Sequence, residues 1–227
     1  MIPLSAPKLR YPSGVNLVFD GNSLVAGSGA TSSAFWISAQ VAGLDPIAGA
    51  GVTVVNKGIG SQTTRMMNGF DGGSASDVDG AWVAGKRNIL VVWEITNTVF
   101  NTNVTGVQAA ADLAAYIAAR QAVHPWLVVI VTALPRTQPS LTQAQADTGN
   151  NELLIANQLV RDNYRAWGAH AVADIRAPGS PFNIANYQFA TFGTIAPLFY
   201  DTYIHLTNAG YAVVARVIAN ALRQLPR

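Results

Sequence analysis

Val15–Gly27 reads VNLVFDGNSLVAG, an apolar run that breaks at Asp20-Gly21-Asn22 and then presents Ser23. Val15, Leu17, Val18 and Phe19 predict a short buried strand, because a compact run of branched and aromatic residues ends at turn formers. Gly27-Ser28-Gly29 and Ser32-Ser33 follow, and then Phe35, Ala39 and Ala42 at a spacing that suits a helix. A serine that leaves the first strand and enters a helix stands where α/β sheets place their chemistry, at the carboxyl ends of the strands. Alone, the same residues also suit a plain Gly/Ser turn, so the rest of the chain must decide.

Four more apolar runs follow the same plan: Val52–Val55, Ile89–Trp93, Leu127–Thr132 and Ala171–Ile175. Between them, Val107–Gln121 carries a stripe of Ala110, Leu113, Ala114, Ile117 and Ala118, stopped by His124-Pro125. A second helix is expected over Glu152–Trp167, after a polar loop at 137–149, and a last one from about Thr207 or Asn208, with Tyr211, Val214, Ile218 and Leu222 inward. Alternation of strand and helix predicts an α/β chain, a mostly parallel sheet flanked by helices, in one domain over 1–227. Residues 1–14 read as an irregular Pro/Gly arm. Residues 176–200 show no period and carry Phe182, Tyr187, Phe189, Phe192 and Phe199, either as an aromatic wall over a site or as a cover for the sheet edge.

Composition narrows the function. Half of the 227 residues are hydrophobic and 11% are charged, enough apolar material for a large core. The net charge of +2 leaves no basic patch, so no nucleic-acid partner is expected. With 0 cysteines, thiolate catalysis and Cys-zinc sites are excluded. Asp71, Asp77 and Asp79 lack the closing Glu of a calcium loop and read as solvated loop, so no metal and no cofactor is expected. No run is long enough to span a bilayer and no apolar leader core is visible, which predicts a soluble chain without a membrane partner.

Polar candidates then cluster at predicted strand ends. Acyl transfer needs a nucleophile, a base and donors for the developing oxyanion. Ser23 can attack. Of the 3 histidines, His124 and His170 flank strands, while His205 lies in a polar stretch before the last helix and is the best base. Asn97 can donate an amide N–H, joined by backbone N–H groups of Ser23 and of the Gly60-Ser61 turn.

These segments, in this order, resemble the four blocks of the SGNH (GDSL-type) hydrolases. FDGNSLVAG resembles the first, with Asn22 in place of the usual Asp; VVNKGIGSQTT resembles the second, its oxyanion N–H supplied by Gly60 or Ser61. VVWEITNTVF resembles the third, retaining Asn97 while Ile95 and Thr98 replace the flanking Gly and Asp. DTYIHLTNAGY resembles the last, where Asp201 lies one residue further from His205 than the usual Asp. The resemblance implies a flavodoxin-like three-layer α/β/α sandwich and a metal-independent serine esterase acting on short-chain or O-acetyl esters, glycan esters included. It implies Ser23, His205 and Asp201 as the catalytic group, with a backbone carbonyl as the alternative to Asp201 in orienting the imidazole. Ser23, Gly60, Ser61 and Asn97 would form the oxyanion hole, and Asn22, Thr98, Tyr200 and Tyr203 are candidate substrate contacts. The departures at Ile95, Thr98 and Thr202 motivate the alternative of a catalytically decayed carbohydrate-binding or structural module.

Overall fold

The computed structural model describes residues 14–45, 47, 51–71, 78–138, 140–183, 199–200 and 204–226. Five strands, β1 (Val15–Gly21), β2 (Val52–Asn56), β3 (Arg87–Trp93), β4 (Leu127–Val131) and β5 (Ala171–Ala173), pair in the order β2-β1-β3-β4-β5. Every pairing is parallel. Parallel strands require crossover connections, and helices supply them on both faces. One face packs against α2 (Ile37–Gly43) and the last helix, α7 (Asn208–Arg223), through Leu17, Phe19, Val91, Val129, Tyr211, Val214 and Ile218. The other packs against α5 (Gly106–Val123) and α6 (Gln143–Asn163) through Val18, Leu90, Val92, Leu113, Ile117, Leu153 and Val160. The chain is therefore a three-layer α/β/α structure, as its alternating pattern predicts.

The central strands β1 and β3 are buried along nearly their whole length, which explains why they read as unbroken apolar runs. Their register sets Gly21 opposite Trp93, so both strands end at the same edge. Three short helices cluster there: α1 (Ser23–Ala26), α3 (Thr64–Met67) and α4 (Thr96–Thr102). Among the described residues no helix is long and apolar enough to cross a membrane.

Several sequence expectations need correction. The helix expected on Phe35, Ala39 and Ala42 is a single 3-10 turn followed by α2, whose buried side is Ile37, Ser38 and Val41; Phe35 is exposed. The short helices α3 and α4 have no apolar period and escape pattern reading. Most instructive is α6, which begins at Gln143 inside the stretch read as polar loop. Its first turns are polar because they face solvent, and Thr142 starts them with a capping box: the Thr142 hydroxyl accepts from Gln145 N–H at 3.3 Å while the Gln145 side chain accepts from Thr142 N–H at 2.9 Å. Of the 176–200 stretch, residues 184–198 lie outside the described residues. Phe182, Phe199 and Tyr200 pack edge-on at 5.7 and 5.9 Å, a covering role over the sheet.

Because the capping box is the only local signal that starts α6, Thr142→Ala is expected to cost about 1 kcal/mol. Thermal melting should show a drop of about 2–4 °C; an unchanged melting temperature would remove the cap from the account.

Candidate active site

Ser23 owes its position to an abrupt strand-to-helix turn. Asp20, buried near the end of β1, accepts from Gly21 N–H at 2.9 Å and from the Tyr116 hydroxyl of α5. Burial and the Asp20 charge push the Tyr116 phenol well above its ordinary value, so it stays a donor. Asn22 then caps α1: its side-chain oxygen accepts from Leu24 N–H at 2.8 Å. Ser23 is the first helical residue and half-buried. Two glycines permit the turn by close approach. A Cβ on Gly21 would stand 2.3 Å from Trp93 O, and one on Gly58 would stand 2.4 Å from Ala26 N, so the β2 loop lies directly on α1.

From the other end of the chain, His205 meets this turn. Its Nε2 lies 3.1 Å from Ser23 Oγ, although the two residues are 182 positions apart. The meeting is held by the start of α7. Thr207 caps that helix and its N–H donates to Phe199 O at 2.9 Å, while Leu206 bridges Tyr200. Tyr211 Oη donates to Ser28 O at 2.7 Å, and Asn208 pairs with Thr31 through Nδ2 to Oγ1 at 2.8 Å. The α7 N-terminus is thus tied to the segment that follows Ser23.

The Gly60-Ser61 turn hangs from the same edge. Ile59 N–H donates to Gly21 O at 3.0 Å, and Gln62 N–H closes the turn on Ile59 O at 3.3 Å. Ser61 holds φ 62°, a left-handed position where glycine is the easier residue. Asn97, on the first turn of α4, donates from Nδ2 to Gln62 O at 3.1 Å. Its Oδ1 accepts from Arg136 Nη1 at 3.1 Å. Arginine only donates, so this contact fixes which end of the amide carries the N–H groups.

Of the candidate substrate contacts, three serve other ends. Asn22 is buried, with its oxygen on Leu24 N–H and its amide donating to Glu94 at 2.6 Å, so it builds the serine turn. Thr98 is buried and accepts from Thr64 N–H at 2.9 Å. Tyr200 is buried and donates to Pro135 O at 3.1 Å. Asp201 and Tyr203 lie outside the described residues.

Two residues that carry this edge were missed in sequence. Glu94, 1% exposed, follows β3 and accepts from Asn22 Nδ2 at 2.6 Å, Thr98 N–H at 2.7 Å, Thr98 Oγ1 at 2.9 Å and Asn97 N–H at 3.3 Å. Burial pushes its carboxyl up to about 7 against the pull of those bonds. Arg136, from the β4 loop, is buried beside Asn97 and stacks over Phe100 at 5.2 Å. The signal available for both was a lone charge beside an apolar strand, which is costly unless partnered. Among the described residues no group of three His, Asp or Glu could hold a metal ion. A cavity of about 350 Å³ between α4, α5 and α6 is lined by Val99, Phe100, Thr105, Leu141 and Glu152, not by Ser23 or His205.

Comparison with solved structures agrees with the fold. A member of the lipolytic G-D-S-L family from Veillonella parvula superposes with a TM-score of 0.65 at 12% identity, over 93% of this chain and 100% of that one. Axe2, an acetylxylan esterase from Geobacillus stearothermophilus, gives 0.58 at 16% identity, over 93% and 96%. This is the SGNH-hydrolase fold. TesA shares it with a TM-score of 0.62 at 14% identity, over 92% of this chain and 98% of that one. No family model matches the sequence. A 90-residue stretch is 29% identical to isoleucine–tRNA ligase of Pseudomonas fluorescens (strain Pf0-1), spanning 40% of this chain and only 9% of that enzyme.

The SGNH fold brings the serine turn and the Gly58 loop into backbone contact, which leaves no room for a methyl group. Gly58→Ala is therefore expected to destabilise by about 1–3 kcal/mol, read as an earlier midpoint in chemical denaturation. An unchanged midpoint would mean that the loop does not brace α1.

Proposed function

We propose that the protein is a serine ester hydrolase, and the observation that carries this reading is the 3.1 Å approach of Ser23 Oγ to His205 Nε2. A hydroxyl becomes a useful nucleophile when a base within hydrogen-bond reach takes its proton. Ser23 Oγ attacks the ester carbonyl and His205 Nε2 accepts the hydroxyl proton. The negative charge on the former carbonyl oxygen is met by Asn97 Nδ2, Ser23 N–H and the N–H of Gly60 or Ser61. Collapse of the tetrahedral intermediate expels the alcohol, which takes the proton back from His205. His205 then deprotonates a water, whose oxygen attacks the acyl group and frees Ser23. For Nε2 to act as acceptor, Nδ1 must carry the other proton, and Asp201 or a backbone carbonyl holds it there.

The resemblance in fold to Axe2, an acetylxylan esterase, supports acetyl esters, those on glycans among them. Ser61 contributes only through its backbone, because the group used is the N–H.

With p-nitrophenyl acetate, Ser23→Ala and His205→Ala are each expected to lower kcat by at least about 1000-fold. Asn97→Ala should lower kcat about 100–1000-fold with KM nearly unchanged, since its donor acts on charge that develops in the transition state. Ser61→Gly should stay within about threefold of wild type, because it keeps that N–H. Wild-type protein without turnover, or a His205→Ala variant of full activity, would contradict the assignment.

A further inference from the structure

We propose that Glu94 is a positioning residue that couples the serine turn to the oxyanion donor, holding Asn22 beside Ser23 through Oε2 and the first turn of α4, which carries Asn97, through both carboxylate oxygens. The inference rests on the hydrolase reading for its effect on catalysis, though the coupling itself stands on geometry.

Four donated hydrogen bonds converge on Glu94. Oε2 accepts from Asn22 Nδ2 at 2.6 Å and from Asn97 N–H at 3.3 Å; Oε1 accepts from Thr98 N–H at 2.7 Å and Thr98 Oγ1 at 2.9 Å. Asn22 cannot turn its amide around, because its oxygen is committed to Leu24 N–H at 2.8 Å. The residue that precedes α4, Ile95, offers no side-chain cap, so Glu94 supplies the acceptor for the start of that helix. An ionised carboxylate presents acceptors to all of these donors. A protonated carboxyl fits only with its proton toward Thr98 Oγ1, whose hydroxyl then turns to Thr64 Oγ1 at 3.1 Å, and an amide turns a donor toward a donor on one side. Asn97 is held from its far end by Arg136 Nη1 at 3.1 Å, and Arg136 is the charged group that acts on Glu94 from the β4 loop. From α3, Thr64 Oγ1 reaches Glu94 O at 3.3 Å. A shift in the Glu94 carboxylate therefore moves the nucleophile and the oxyanion donor together.

The coupling gives activity and stability opposite responses to pH. Burial raises the carboxyl from its ordinary 4.5 to about 7, so the folded chain keeps that proton over this window while the unfolded chain releases it. Its contribution to stability is complete below 4.5 and is lost as pH rises through 7. The ionised form, which aligns both sides of the site, grows over the same window.

The test compares wild type, Glu94→Gln and the double variant Asn22→Asp/Glu94→Gln across pH. Glu94→Gln should lower kcat by about 10–100-fold with KM nearly unchanged, the size expected of a small misplacement. The acid limb of wild-type kcat should need two deprotonations, and that of Glu94→Gln one. The double variant should regain part of the loss, since a side-chain amide at position 94 can donate to a carboxylate at position 22 but no longer accepts from Asn97 N–H at that end. In amide NMR of the wild type, the Asn22 side chain and the Asn97 and Thr98 N–H groups should follow one shared titration near pH 7, absent from Glu94→Gln. Wild-type kcat and an unaltered acid limb in Glu94→Gln would overturn the proposal, as would separate titrations of Asn22 and Thr98 or a double variant no better than Glu94→Gln. Shared titration in a protein without turnover would refute the hydrolase reading and support the coupling.

Discussion

The parallel ladder between β1 and β3 is the constraint from which the site follows. Its register pairs Gly21 with Trp93, so the two central strands stop at one level and their next residues meet across the edge. Asn22 and Glu94 are those residues, joined at 2.6 Å in a buried setting. A slip along the ladder would separate them and turn every buried side chain of β1 to the wrong layer. The large apolar faces on both sides of the sheet make such a slip very costly. Sheet packing thus fixes the serine turn more firmly than any contact made by Ser23 itself.

A second consequence concerns the distance in sequence between Ser23 and His205. Ser23 leaves the first strand and His205 precedes the last helix, yet α7 packs on the same sheet face as α2 and delivers His205 to that edge. Tyr211 and Asn208 fasten the helix start to Ser28 and Thr31, immediately downstream of Ser23. The imidazole is therefore located by two capped helices and a sheet, all rigid elements, which is what the proposed activation of Ser23 requires. The proposed oxyanion donor follows the same logic: Asn97 is held by Gln62 on one side and Arg136 on the other.

How much of this was legible depends on which force fixed each residue. The central strands were visible, because burial on both faces leaves continuous apolar runs such as Ile89–Trp93. The inward residues of α7 were visible for the same reason, with Tyr211, Val214, Ile218 and Leu222 all buried. Ser23, Asn97 and His205 could be picked out because polar residues at the ends of apolar strands are few. The polar half of α6 was not legible by period, although its Thr142–Gln145 capping box was present to be read. Glu94 and Arg136 were passed over since their roles depend on partners distant in sequence: Asn22 for the first and Asn97 for the second. Asn22 was misjudged for the converse reason. A polar residue beside a nucleophile suggests substrate contact, but its two ends are consumed by the helix cap and by Glu94.

The central claim is that Ser23 is activated by His205, and a fluorophosphonate probe tests it most directly. After brief treatment of the native protein, peptide mapping by mass spectrometry should find a single phosphonyl adduct, on Ser23, formed much more slowly when His205 is replaced by alanine. No adduct, or an adduct on a different serine with Ser23 unmodified, would contradict the account.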